Sequence, residues 1–364
     1  MSPQVGKIAE EMAEHDLVQL ADFRLHKILE GPEKLLCPKE NSQDLAYWIR
    51  RYLDERVAGV GSVHTWKAKA RDLTLFYRFF MEWNRSAEIT FWCRRDTENF
   101  REEMLGQGYK PATVNRFLAT VKHFGRYCEE QRAFDGECPV WGVKNVPRDP
   151  PEAKGLDRFQ VKRLFQSIQD LSRMKPGWEA ARDEAIFHLL YAVGLRVTEL
   201  CNLELKHYDG KGLKSFPAKG GHFRDAFVPA RARAKLDGYL ALRQRASARL
   251  CAQYEGFSAQ ARRQIEKSAP WQHPDPRWLL FNRYASKISR QHVHALLRKV
   301  AEHARIHYRA AMKLYPHRLR HTFALEQLRK SGDPTLVARL LGHRSLQHVV
   351  RYSREQKDEH RDWL

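Results

Sequence analysis

Apolar residues recur at helical spacing along most of this chain, and the spacing predicts a set of helices with polar outer faces. Near the start, Leu45, Trp48, Ile49, Tyr52 and Leu53 share one side of a helix that Ser42 can cap. A second helix, with Ser62 as its cap, gathers Trp66, Leu73, Phe76, Tyr77 and Phe80 on one side. A short third runs from about Asp96 to Leu105 and stops at Gly106. The fourth begins near Pro111 and buries Val114, Phe117, Leu118, Val121 and Phe124. Its other positions include Lys110, Asn115, Arg116, Lys122 and Arg126. This is the pattern of a compact bundle with one basic side.

Pro139, Pro147, Pro150 and Pro151 then interrupt the periodicity and mark a linker. A new helix starts at Asp157, where Gln160 completes a capping-box spacing ahead of Val161, Leu164, Phe165 and Ile168. The rest reads as a larger, mostly helical domain. Its one strand pair lies around Lys214–Ala218 and Phe223–Val228, turned at Gly220-Gly221. Arg243 to Arg277 reads as a long polar, partly helical insertion with no assignable chemistry. The expected fold is therefore mainly α with a small β-sheet. Its divisions are an N-terminal helical extension (1–41), a helical bundle (42–138), a linker (139–155), a second domain (156–354) and a short tail (355–364).

Composition narrows the function. At 364 residues the chain is too long for a single small core, which agrees with two domains. No segment approaches about 18 uninterrupted apolar residues, and no basic-then-apolar leader opens the chain, so a soluble cytoplasmic protein is expected. The six cysteines are scattered without a C-x-x-C pair, which favours free thiols over a disulfide frame or a zinc site. His303 and His307 have metal-ligand spacing on a helix but no acidic or thiol partner nearby, so no metal is expected there. The formal net charge is +20, and charge of that size points to a polyanion, of which nucleic acid is the usual one. The distribution is uneven. Residues 1–40 hold eight acids against five Lys or Arg, whereas Phe281–Arg320 holds ten Lys or Arg and only Glu302 as an acid. Lys110, Arg116, Lys122 and Arg126 are the candidates in the bundle for contact with a duplex backbone.

Three motifs carry chemistry. In Gly194-Leu195-Arg196-Val197-Thr198-Glu199-Leu200, the glycine closes a helix running from Arg182 to Val193, and Arg196 opens another. Glu199 lies one turn on, placed to hold the guanidinium. In Pro316-His317-Arg318-Leu319-Arg320-His321, the proline suits a first helical turn, and His317 and Arg320 share a face. Leu319, Phe323, Ala324 and Leu328 take the buried side, and the helix should end at Gly332. Asp333-Pro334 starts a short helix that stops at Leu341-Gly342, presenting His343. Ser345 then caps a last helix carrying Tyr352, nine residues after the histidine. Two arginines, two histidines and a tyrosine suit a nucleophile that attacks a phosphate ester among charge-stabilising donors. Such a set is chemically suited to breaking and rejoining DNA without a metal ion.

These boxes, in this order and spacing, resemble those of the tyrosine recombinase (phage integrase) family: G-L-R-x-[ST]-E-L, then H-x-L-R-H-[ST]-F-A, then L-G-H with the tyrosine nine residues on. The helical bundle is similar to the family's core-binding domain, so the resemblance spans roughly residues 42–354. It implies a core-binding domain and a mixed α/β catalytic domain forming a clamp on DNA. Tyr352 would attack the scissile phosphodiester, forming a 3′-phosphotyrosyl link and releasing a 5′-hydroxyl. Arg196 and Arg320 would grip the non-bridging oxygens, and His317 and His343 would add hydrogen bonds or move the phenolic proton. The leaving oxygen's proton would come from a lysine on the strand-pair turn. Lys219 fits, with Lys211 and Lys214 nearby and Ala218 where family members often have glycine. Leu346-Gln347-His348-Val349-Val350 also departs from the family's small, threonine-rich stretch. The resemblance further implies a homotetramer on two duplex recombination sites, no cofactor, and a nucleoid-associated protein of bacterial, phage or mobile-element origin. Alternatives are type IB topoisomerase-like DNA relaxation and a DNA-binding protein without catalytic activity.

Overall fold

The computed structural model describes residues 43–58, 63–134, 136–148, 155–218, 221–269, 272–306 and 314–342. The expected extension, the tail, Ser62, Lys219, His307, His343, Ser345 and Tyr352 lie outside them. The chain divides into two compact units at Asp149/Pro150. Among the described residues, no helix is long and apolar enough to cross a membrane.

The first unit is helical. Helix α1 (Leu45–Tyr52) begins one residue after Asp44, whose carboxylate accepts a bond from the Ala46 amide at 2.8 Å. The observed cap is thus Asp44, and Ser42 lies outside the described residues. A π-helical segment, Leu53–Ala58, continues α1. Helices α2 (Val63–Asn84), α3 (Arg94–Gly106) and α4 (Pro111–Glu130) follow. The expected apolar stripes meet in one core, in which Leu45, Leu53, Leu73, Phe76, Tyr77, Phe80, Phe100, Val114, Leu118, Val121 and Phe124 lose essentially all solvent contact. Trp92 fills its centre, stacked on Phe124 with centroids 5.5 Å apart and tilted against Phe76 at 4.9 Å. Its indole N–H donates to the Thr97 hydroxyl at 2.9 Å, which removes the cost of burying it.

Of the segment expected as linker, residues 139–148 pack on this unit. Val140 and Val143 sit in the core. The Asn115 amide clasps the backbone of Val146 in both directions, at 2.9 and 2.8 Å. Two valines among the prolines supply the apolar area that docks it.

In the second unit, α5 (Arg158–Met174) starts with the expected reciprocal cap between Asp157 and Gln160. Helix α6 (Trp178–Val193) is apolar through most of Ala185–Val193 and buries Arg182, Glu184 and His188 as well, so it runs through the core. A five-residue helix α7 (Val197–Cys201) leads to the strands β1 (Gly212–Pro217) and β2 (Phe223–Phe227). These pair antiparallel with Leu213 opposite Ala226 and Phe216 opposite Arg224. Helices α8 (Ala230–Glu255), α9 (Ala259–Ser268), α10 (Arg290–His303), α11 (Pro316–Ser331) and α12 (Pro334–Leu341) complete the unit. Helix α6 is flanked by α5, α8 and α11.

The stretch read as an insertion from Arg243 begins inside α8. Arg243 is buried and donates to the backbone carbonyls of Pro276, Trp278 and Leu279 at 2.5 to 3.2 Å. Its guanidinium also covers the Phe281 ring at 5.0 Å. This cation is a structural clasp, which a sequence reading by polarity places on the surface.

Candidate active site

Three local chain reversals build the site. Gly194 ends α6 in the left-handed region at φ 63°, and a Cβ there would lie 2.5 Å from the Phe323 ring. Only glycine fits both constraints. Arg196 then stands at the N-cap of α7, its side chain about one fifth exposed. The Glu199 carboxylate takes the Arg196 amide at 2.9 Å and its guanidinium at 2.7 Å. An i,i+3 pair of this kind is ordinary on a helix surface, but Glu199 is only 2% exposed, so the pair is fixed rather than fluctuating.

Helix α11 supplies the second arginine. Pro316 occupies its first turn, and His317 and Arg320 follow on one face as expected. Arg320 is 4% exposed and donates to the Gly194 carbonyl at 2.5 Å and the Leu341 carbonyl at 2.6 Å. It thereby ties the end of α6 to the end of α12, where Gly342 adopts φ 62°. Its guanidinium also approaches Glu199 to 3.9 Å. His317 is exposed on this face. Partial loss of hydration and the nearby charges of Arg320, Arg196 and His294 hold its pKa below the ordinary histidine range. It therefore carries a neutral ring at pH 7, able to accept a proton.

Sequence reasoning missed Arg224. It is the second residue of β2, its side chain 10% exposed, and donates to Glu199 at 2.8 Å and to the Leu340 carbonyl at 3.1 Å. The strand reads Phe-Arg-Asp-Ala-Phe, which by hydropathy alone turns the phenylalanines inward. The structure does the reverse: Phe223 and Phe227 are about 70% exposed, and Arg224 faces in over the Phe216 ring at 4.7 Å. Burial alone would push the Glu199 carboxyl up. The Arg224 hydrogen bond and charge, the Arg196 amide and Arg320 outweigh it, so Glu199 titrates below the usual range and remains ionised.

The structure thus brings together Arg196, Glu199, His317 and Arg320, and adds Arg224. Lys219 follows Ala218, whose amide bonds the His222 carbonyl at 2.6 Å as the hairpin closes, and His343 follows Gly342. In the first unit, Lys110 and Arg126 are exposed, whereas Arg116 and Lys122 have internal partners. Arg116 donates to buried Asp72 at 2.6 Å. Lys122 donates to the Val143 carbonyl at 2.6 Å and to Asn145 at 3.0 Å. The imidazole of His303 lies 3.1 Å from the Ser167 hydroxyl.

The phage integrase family matches residues 242–359. Tyrosine recombinase XerC of Thermodesulfovibrio yellowstonii is 30% identical over 84% of this chain and 91% of its own length. XerC of Oceanobacillus iheyensis is 26% identical over 83% of this chain and 88% of its own. Among solved structures, the XerH site-specific recombinase bound to its palindromic difH substrate matches with a TM-score of 0.65 at 16% identity, over 96% of this chain and 95% of that one. The Tn1549 transposon integrase bound to circular intermediate DNA matches at 0.60 and 15% identity, over 85% and 95%. The fold is shared with these proteins. The sequence similarity to XerC establishes that this chain belongs to the tyrosine recombinase family.

Proposed function

We propose that the chain cleaves and rejoins duplex DNA at specific sites, with Tyr352 as the nucleophile. The phenolic oxygen attacks the scissile phosphorus, the bond to the 5′-oxygen breaks, and a 3′-phosphotyrosyl link forms. Rejoining is the reverse attack by a 5′-hydroxyl, so the bond energy is kept and no nucleotide hydrolysis is needed. The observation that carries this reading is the fixed pair of guanidiniums, Arg196 and Arg320, arranged about one buried carboxylate. A phosphodiester passing through a pentacoordinate state gains charge on its non-bridging oxygens, and preorganised cations stabilise that charge most. A phenol of ordinary pKa near 10 also needs a proton acceptor at pH 7, a role for neutral His317 or for His343. Lys219 is the proposed donor to the leaving 5′-oxygen. Lys110 and Arg126, exposed on α4, are the proposed backbone contacts of the first unit, and four subunits on two duplexes are the proposed assembly.

Trapping tests the nucleophile. Covalent adducts recovered from cells expressing the chain, after digestion of the DNA, should carry a 3′-phosphonucleotide on Tyr352 by mass spectrometry. Tyr352→Phe should yield none while still binding the mapped sites. An adduct that persists in Tyr352→Phe, or that maps to another residue, overturns the assignment.

A further inference from the structure

Arg224 joins three elements that the sequence leaves far apart. Its Nη2 meets Glu199 at 2.8 Å, which also holds Arg196. Its Nη1 meets the carbonyl of Leu340 at 3.1 Å, in the last turn of α12. The neighbouring carbonyl, Leu341, is taken by Arg320. Two arginines therefore close the end of the helix that leads into His343, and both face the same glutamate. The fit around Arg224 is close: a Cβ on Gly342 would come within 2.8 Å of its Cδ, and the Phe216 ring lies under the guanidinium. Strand β2 carries Arg224 five residues after Lys219, so what fixes this side chain also fixes the strand that follows Lys219 in the chain. On the outward side of the hairpin Phe223 and Phe227 are largely exposed and the Lys214–Asp225 pair is open to solvent, while Leu213 and Phe216 anchor β1 in the core, so Arg224 is the inward anchor of β2.

We propose that Arg224 is a positioning residue that holds strand β2 against the Arg196–Glu199 pair and the end of α12, and through that strand acts on Lys219, the proton donor proposed above. The inference rests on the reading of the site given above. A guanidinium suits the task because separate nitrogens reach a carboxylate and a carbonyl at once in a rigid plane, whereas an ammonium reaches only one of them firmly. Buried and engaged on two sides, Arg224 acts on the reaction through the lysine and not on the phosphate.

The test compares two forms of a nicked duplex carrying a mapped cleavage site, one with the ordinary 5′-oxygen and one with sulfur at that bridging position. A thiolate leaves without a proton, so the sulfur substrate bypasses the lysine. On the oxygen substrate, Arg224→Met should form covalent adduct about 100-fold more slowly than wild type, the scale of a reacting group displaced by about 1 Å. On the sulfur substrate the deficit should shrink to under about 10-fold, and binding to a single site should be unchanged. Arg224→Lys keeps the charge and one contact. It should lose about 10-fold on oxygen, the low end for a supporting contact, and almost nothing on sulfur. If Arg224→Met does not fold, the lysine variant decides alone. Wild-type rates on oxygen, or equal slowing on both substrates, overturn the inference while leaving the nucleophile assignment standing. Absence of adduct from wild type on both substrates overturns the assignment, and this inference with it.

Discussion

The two units each bury one carboxylate against arginine, and they use it differently. Asp72 in the bundle is 3% exposed and faces Arg116 and the Thr120 hydroxyl, the latter at 2.9 Å. One acid meets one half-exposed cation, and the result is a neutral strut between α2 and α4. Glu199 is equally buried but faces Arg196, Arg224 and Arg320 together. There the acid is outnumbered, and a surplus of positive charge is held rigidly where water is scarce. Such an arrangement is costly to assemble, because like charges repel and are poorly solvated. In the proposed reaction the cost is offset when an anionic phosphate arrives at Arg196 and Arg320, which no longer need to be brought into place, while Arg224 stays engaged with Glu199 and the end of α12. A one-to-one pair contributes stability, and under the proposed function the unbalanced cluster trades some of it for affinity of Arg196 and Arg320 toward a developing negative charge.

Removing a cation from the unbalanced cluster should have the largest effect. Arg320→Ala should slow adduct formation by about 100- to 1,000-fold, equivalent to about 2.7–4 kcal/mol of barrier. Single-site binding should fall far less. A variant that cleaves at the wild-type rate would remove Arg320 from the charge-stabilising set.

Exchanging the two acids sharpens the contrast. Glu199→Gln should slow cleavage about 10- to 100-fold, as expected for a partner that orients a contacting group. Asp72→Asn should leave cleavage by folded protein near wild type and lower the unfolding free energy by about 1–3 kcal/mol. Equal slowing by both would erase the distinction. The sign of the pH effect follows from Glu199 titrating below its ordinary 4.5. Its stabilisation is present above that pH and is lost only as pH falls through the lower folded value. Acid inactivation above pH 5 would therefore have to arise elsewhere.

A third buried group has no counter-charge. His188 is 1% exposed, packed 5.0 Å from the Phe165 ring, and pushed down to about 4 by burial and by Arg231 and Lys235. The folded chain keeps it neutral, while the unfolded chain takes up a proton below pH 6.5. Stability should thus fall as pH drops from 6.5 toward 4, by roughly 1.4 kcal/mol per pH unit. Urea midpoints at pH 7 and 5.5 should diverge less in His188→Leu than in wild type. An identical decline in the two proteins would discard this account.

The smallest effect is expected in the bundle's exposed cations. Replacing Lys110 and Arg126 together by Ala should reduce the salt dependence of DNA binding by about two in the log–log slope, with cleavage of bound DNA unaffected. An unchanged slope would turn that side of α4 away from the phosphates.

Much of this was legible because it is local. Caps, first-turn prolines and left-handed glycines act within one helical turn, so Asp157 with Gln160, Pro111, Pro316, Gly332 and Gly342 announced their elements directly. The pairing of Arg196 with Glu199 spans three residues and follows from helical geometry. Helix faces were equally readable, because burial follows apolar periodicity when a single face is covered.

What the tertiary structure decided involves partners distant in sequence. Arg224 meets Glu199 across 25 positions and Leu340 across 116, and Arg320 meets Gly194 across 126. Arg243 caps carbonyls 33 to 36 residues on, and Asn115 clasps Val146 across 31. No periodicity encodes such pairs. A buried cation looks, in sequence, like a solvated one until the fold supplies the carbonyls and carboxylates that replace its water. Sequence alone therefore determined the helices, the motif order and the family. Which arginines face solvent and which hold the site together was settled only by packing, because the free energy of burying a charge depends on the partners the fold delivers to it.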